Sequence, residues 1–201
     1  MRTVIHIAAA LVLTLVSAEA ARAAKPIQCT AVPKGTISVD GLRGDWGDVS
    51  ALMLGGGYAK GGDKSRWQGK ADLQVKFKCA HDAKGTYLLL EVSDDQVVRS
   101  ARYTDREDRV ELLYPGPRGK LRVLRIHPPN ARYRRGRARW TSRPYAARKI
   151  KSSIIRLKHG WAAEIHLKGG SVPGYGVGTP TLKTTLRVVD GSPEASDVIL
   201  L

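Results

Sequence analysis

The run "ARYRRGRARW" sets Arg132, Arg134, Arg135, Arg137 and Arg139 around Tyr133 and ahead of Trp140. Planar guanidinium forks match phosphate, sulfate and carboxylate groups, and interleaved rings stack on sugars or bases. The chemistry this spacing suits is polyanion contact. From Asn130 to Lys151 the chain carries nine arginines and lysines and no carboxylate. No motif for sequence-specific nucleic-acid recognition accompanies the run, so contact with phosphate would be non-specific and salt-sensitive. Two other readings stand beside this one, a solvated loop and a protein partner. Repulsion among so many like charges argues against a compact free-standing loop. Trp67 and Tyr103 join Trp140 as loop aromatics for ligand stacking; partial packing under a loop is the alternative for each.

Acidic residues form a second group. "SDDQ" and "DREDRVE" bring Asp94, Asp95, Asp105, Asp108 and Glu111 into neighbouring segments. A hard cation such as calcium takes six to eight oxygens from such groups, which makes Asp105, Asp108 and Glu111 candidate metal ligands. Arg99, Arg102, Arg106 and Arg109 are interleaved with them. Carboxylates paired with those arginines, or capping turns, are the alternative. On either reading Asp108 and Glu111 support structure rather than catalysis. Neither a Gly-x-Ser-x-Gly elbow, a His-Glu-x-x-His helix nor a phosphate loop occurs. Glu111 and Glu164 are a formal pair for glycoside hydrolysis, but strand alternation turns one or both inward or against arginines. The expectation is therefore a non-enzymatic protein.

Cys29 and Cys79 are the only cysteines, with no histidines spaced to make them a zinc site. In an oxidising compartment they can pair, closing a loop of about 50 residues and stabilising the fold by about 4 kcal/mol in the chain-entropy model. Two separate buried thiols are the alternative. The compartment is indicated by residues 1–23. Arg2, an apolar core and the small-residue triplets Ala18–Ala20 and Ala21–Ala23 read as a signal peptide, with an uncleaved anchor as the alternative. The expected location is secreted or periplasmic.

The net charge of +16 is not spread evenly. Between Glu111 and Glu164 there are fifteen basic residues and no acidic one. Outside that stretch and the first 23 residues, basic and acidic residues balance at seventeen each. The chain is a balanced protein with one cationic block, long enough after residue 23 for one domain with its own core.

Strand patterns must position these groups. "ADLQVKFKCA" alternates, with Leu73, Val75, Phe77 and Cys79 on one face. "HDAKG" is a turn and "TYLLLEV" resumes as a strand. "DRVELLY" and "KLRVLRI" flank "PGPRG"; "SSIIRL" and "WAAEIHL" flank "KHG"; "TLKTTLRVV" and "SDVILL" close the chain. No apolar period of 3.6 residues stands out. The fold class is all-β, an antiparallel, jelly-roll-like sandwich. The basic segment 130–151 falls between two strands as a long connection, of a length that is usually functional or disordered.

The order of motifs resembles the family 9 carbohydrate-binding modules. "TISVDGLRGDWGDV" supplies Ile37, Val39, Asp40, Gly41, Asp45 and Trp46, and "YLLLEVSDD" follows. "DRVEL" gives Asp108, Val110, Glu111 and Leu112, and "GWAAEIHL" and "RVVDG" complete the set. The match spans about residues 36–190, and residues 24–35 are left as an N-terminal segment before a module at 36–201. The resemblance implies a sandwich that binds sugars without catalysis, with structural calcium. Where sugar-binding members commonly place a Trp, three residues before the Asp of Asp-x-Val-Glu, this chain has Asp105, with Tyr103 two residues earlier. Trp46 and Trp161 fall at core positions. The implied function is a secreted binding module for glycans, acidic or cell-envelope polysaccharide. The alternatives are a general polyanion or cell-surface adhesion module acting through the basic loop, and a domain that docks onto a larger secreted complex.

Overall fold

The computed structural model describes residues 26–55, 73–99, 107–115, 121–141, 150–169, 181–191 and 196–200. The expected signal segment, Trp67, Tyr103 and Asp105 lie outside them. The regular structure of the described residues is almost entirely strand. In order it forms β1 (Ile27–Gln28), β2 (Thr30–Ala31), β3 (Ala51–Gly55), β4 (Leu73–Asp82), β5 (Gly85–Asp94), β6 (Arg109–Pro115) and β7 (Leu121–His127). There follow β8 (Arg137–Trp140), β9 (Ile150–Arg156), β10 (Trp161–Lys168), β11 (Thr181–Leu182), β12 (Thr185–Gly191) and β13 (Ser196–Leu200). Among the described residues a 3-10 turn covers Arg43–Trp46.

Two sheets make the sandwich. The first runs β2-β4-β5-β10-β9, with β3 also on β4; the second runs β13-β12-β6-β7-β8. Every pairing is antiparallel except the short β2–β4 contact. Alternation supplies the core between them. Leu73, Val75, Phe77 and Cys79 of β4 face inward with Leu88, Leu90 and Val92 of β5. Val110, Leu112 and Tyr114 of β6, Leu124 and Ile126 of β7, and Leu186 and Val188 of β12 meet them from the other sheet. Large and small residues alternate across the register, as in Phe77–Leu90–Ala163 and Val75–Val92–Trp161. Each fully buried large side chain contributes about 1.5–3 kcal/mol. The expected hairpins β4–β5, β6–β7 and β9–β10 all form. The β4–β5 turn is held by Asp82, whose Oδ1 accepts from the backbone N–H groups of Lys84 (2.7 Å) and Gly85 (3.2 Å).

Cys29 and Cys79 form the disulfide, with Cα atoms 4.6 Å apart. Both are buried, so the bridge ties the N-terminal strip carrying β1 and β2 to the middle of β4.

The outer face of the first sheet is covered by the chain between Val32 and Val49. Ile37, Val39, Trp46 and Val49 pack on Ala80, Tyr87 and Leu89, the residues of β4 and β5 that point away from the main core. This is why β5 is buried on both faces. Glu164 of β10 fastens the cover: Oε1 accepts from the Trp46 indole at 3.0 Å, and Oε2 from the backbone N–H groups of Asp40 (3.0 Å) and Gly41 (2.6 Å). Gly41 has φ +94°, and a Cβ there would stand 3.0 Å from the Ser153 hydroxyl, so glycine is required on both counts. The Val-Asp-Gly and Asp-Trp motifs thus serve one buried carboxylate. Replacing Glu164 with Ala strands three donors, and hydrogen bonds to charged groups contribute about 1.5–3 kcal/mol each. We expect Glu164→Ala to lower unfolding free energy by about 3 kcal/mol or more, read from urea denaturation. A loss below about 1 kcal/mol would show that the cover holds without it.

Candidate functional site

The cationic run is more ordered than a free loop. Asn130 builds a turn: its Oδ1 accepts from the backbone N–H groups of Arg132 (3.1 Å) and Tyr133 (2.7 Å), and its own N–H donates to the Tyr133 carbonyl at 2.9 Å. Beneath the turn lies Arg99, a buried cation. It donates to the carbonyls of Pro128 and Arg135, and Asn130 Nδ2 donates back to the Arg99 carbonyl at 2.9 Å. Tyr133 sits between two guanidiniums, 5.1 Å from that of Arg99 and 5.8 Å from that of Arg132. Gly136 then approaches β9 so closely that a Cβ would fall 2.4 Å from Ile154 Cγ2. The expectation of one long connection from 130 to 151 is corrected here, because Arg137–Trp140 is β8, the edge strand of the second sheet.

That strand sorts its side chains by alternation. Ala138 and Trp140 turn inward and pack against the core; Arg137 and Arg139 turn outward. Trp140 is half-buried, its ring 5.6 Å from that of Tyr114 and tilted by 58°. Expected as a loop ring for ligand stacking, it instead closes the edge of the sandwich. Arg132, Arg134, Arg135 and Arg137 are exposed and Arg139 is half-buried.

Register carries β8 into a larger arrangement. Arg187 of β12, Glu111 of β6, Arg125 of β7 and Arg139 of β8 lie in one row across the outer face of the second sheet. Glu111 is buried, its side chain only 2% exposed. Its Oε1 takes the Nε groups of Arg109 (2.8 Å) and Arg125 (2.9 Å), and its Oε2 takes Arg187 Nε (2.7 Å). Glu111 is therefore not one of the clustered metal ligands; three arginines hold it, the alternative weighed from the sequence. Those partners could not be read from "DRVEL" alone, because Arg125 and Arg187 arrive through strand pairing.

The adjoining row buries His127. Burial, and then the charges of Arg139, Arg99, Arg109 and Arg125, depress its pKa to about 3. Glu107 lies 3.7 Å from Nδ1 and opposes this, but desolvation and four guanidiniums outweigh one carboxylate. The folded protein holds His127 neutral while the unfolded chain titrates near 6.5. Its stabilisation is thus present above pH 6.5 and is lost as pH falls toward 3. Asp82 and Glu91, both with lowered pKa values, add acid sensitivity of the same sign. We expect His127→Asn to lose less stability than the parent between pH 7 and pH 4.5 in urea titrations. Equal losses would show that His127 takes no part in acid sensitivity.

A third cluster joins distant segments. Asp94 at the end of β5, Asp108 before β6 and Asp190 on β12 each present a carboxylate oxygen within 4.8 Å of the others. Asp94 and Asp108 are buried and Asp190 is half-buried. Asp108 accepts from the backbone N–H groups of Gly191 (2.5 Å) and Val98, and its own N–H donates to the Val98 carbonyl at 2.9 Å. Burial, then the charge of Asp94, pushes its pKa up to about 9, against those two backbone donors. The sequence grouped Asp94 with Asp108 but missed Asp190, whose only signal was the "RVVDG" motif far down the chain.

Solved structures with this architecture exist. A family 9 carbohydrate-binding module from Caldicellulosiruptor kristjanssonii, in complex with cellotriose, superposes with a TM-score of 0.59 over 86% of this chain and 83% of that one, at 16% identity. A second structure of such a module from the same organism, in complex with glucose, gives 0.58 over 86% and 85%, also at 16% identity. No protein-family model matches the sequence, and no curated protein matches it. The chain has the fold of a family 9 carbohydrate-binding module.

Among the described residues, the acidic trio is the group that could hold a calcium ion. Three carboxylates offer hard oxygens, and Asp108 at a pKa of about 9 would keep a proton at neutral pH unless a cation compensates its neighbours. Backbone carbonyls and water would complete the shell. We expect millimolar calcium to raise the melting temperature and a chelator to lower it, with Asp108→Asn abolishing the response. An identical melting temperature with calcium and with chelator would mean that a shared proton holds the trio.

Proposed function

We propose that this chain is an exported, non-catalytic glycan-binding module whose ligand is an acidic polysaccharide of the cell envelope or its surroundings. The observation that carries the reading is a family 9 sandwich, seen elsewhere with cellotriose and glucose, whose edge turn and β8 expose Arg132, Arg134, Arg135 and Arg137. Aromatic rings are buried or half-buried throughout the described residues, whereas these guanidiniums are open to solvent. Among the described residues, then, charge rather than exposed rings is what the surface offers a ligand. The two glutamates that might serve hydrolysis are committed elsewhere. Glu164 fastens the cover of one sheet and Glu111 is held by arginines on the other, and a hydrolase needs its two carboxyls facing one bond.

A general polyanion or cell-surface adhesion module is the second reading, favoured by the concentration of the charge excess in one block. A glycan array carrying neutral, uronate and sulfated oligosaccharides separates the two. Selective retention of acidic glycans supports the first. Equal binding of heparin, DNA and polyuronate, governed by charge density alone, supports the second. Binding confined to neutral oligosaccharides would overturn both. Each arginine that meets an anionic group releases about one counterion. Changing Arg132, Arg134, Arg135, Arg137 and Arg139 to Ser should therefore flatten the dependence of affinity on salt. Stability should move by less than about 0.5 kcal/mol for each exposed position. An unaltered salt slope would show that the run is only a solvated surface.

A further inference from the structure

We infer that the outer face of the second sheet is a carboxylate-binding strip for a linear polyuronate, running across the strands from Arg187 through Arg125 to Arg139. The inference rests on the acidic-glycan reading above and assigns it a surface distinct from the exposed turn.

Strands lie about 4.8 Å apart, so the backbones at Arg187 and Arg125, two strands removed, stand about 10 Å apart, with that of Arg139 about 5 Å beyond, while the Arg187 and Arg125 Nε atoms converge on Glu111 between them. A sugar ring spans about one such step. Arg125 and Arg187 reach Glu111 from opposite sides, each through Nε, and their side chains remain 28% and 30% exposed. Arg109, the third partner, is 3% exposed and also donates Nη1 to the Glu107 carbonyl, so its role is internal. The carboxylate thus draws two partly exposed guanidiniums toward one point while neutralising one charge among three. A guanidinium already held in place loses little entropy when it binds an anion.

The rows on either side are unequal. On one side His127, Arg109 and Glu107 are buried, so the strip is closed there. On the other, Leu113 and Val123 are paired and half-buried, flanked by Thr185 on β12 and by Thr141, whose N–H donates to the Val123 carbonyl. An apolar strip beside an arginine strip is amphipathic in the manner of a uronic acid. The ring's C–H face lies on Leu113 and Val123 while its carboxylate meets a guanidinium fork. Nucleic acid fits this strip less well, because no Phe, Tyr or Trp ring stands in its arginine row or in the Leu113–Val123 row to stack a base.

Calorimetric titration of the full chain tests this, with polygalacturonate oligomers, their methyl esters, cellohexaose and single-stranded DNA as probes. Arg125→Gln with Arg187→Gln should weaken polygalacturonate binding ten-fold or more. The charge-matched control, Arg156→Gln with Lys158→Gln, removes two exposed cations from the end of β9 and its turn into β10 and should change it less than two-fold. Because the first pair also strips Glu111 of two partners, Val123→Glu serves as an independent variant; it removes neither arginine and should also cost ten-fold. If Val123→Glu, and the arginine pair where it folds, bind polygalacturonate as the parent does, the strip is not the site, although the acidic-glycan reading survives. If the methyl ester or cellohexaose binds as tightly as the acid, the acidic-glycan reading itself fails. Tighter binding of DNA than of polygalacturonate would overturn the assignment of a polyuronate.

Discussion

The second sheet depends on one buried carboxylate. Glu111 sits on the central strand of that sheet, and its arginine partners come from its own strand and from both neighbours. Burying a charge costs several kcal/mol, which is recovered only when good geometry and further hydrogen bonds satisfy it. Here Arg109 Nε hydrogen-bonds Oε1 at 2.8 Å, and Arg125 and Arg187 add charge contacts at 2.9 and 2.7 Å. An arrangement of this kind specifies register, because a slip of one residue in β7 or β12 would turn Arg125 or Arg187 to the core side. It also obliges the outer face to be cationic. Three guanidiniums gather around one carboxylate, and β8 adds Arg137 and Arg139 to the same face.

The two sheets answer the same problem differently. A sandwich leaves each sheet with an outer face that must be covered or solvated. The first sheet is covered by an apolar segment, and of its outward carboxylates Glu164 receives backbone and indole donors while Glu91 pairs with Arg43 and Lys76. The second replaces apolar cover with charge along one row and buries His127 as a neutral ring in the next. Neutrality at His127 follows from its surroundings: a protonated imidazole would add to a field already positive from four arginines. The family 9 fold therefore has one face closed by packing and one organised by electrostatics, and the proposed ligand surface lies on the second.

Much of this was legible in the residues. The alternation of Leu73, Val75, Phe77 and Cys79 gave β4 and its inward face, and the motifs around Asp40, Trp46 and Glu164 ordered the strands. What escaped were facts of pairing. "RARW" alternates as a strand should, with Ala138 and Trp140 inward, but two charges on a four-residue segment between glycine and polar residues also have the composition of a loop. Glu111 looked like a neighbour of Asp108 because the two are close in sequence, but alternation sends them to different clusters. Asp190 joins Asp94 and Asp108 only because β12 lies beside β6.

The same pairing divides the charge excess into two kinds, and physics assigns them different work. Arginines on the Asn130 turn are exposed, and cations of this kind raise encounter rates with polyanions at low salt without selecting among them. Arginines held by Glu111 are fewer, less exposed and fixed in direction, which suits discrimination between one anionic group and another. A surface made only of the first kind would bind any polyanion. A surface made only of the second would bind selectively but find its ligand slowly. β8 belongs to both, with Arg137 continuing the exposed turn and Arg139 in register with Arg125. On the proposed function, this four-residue edge strand is where a captured chain would pass from loose electrostatic attraction to a defined register across the sheet.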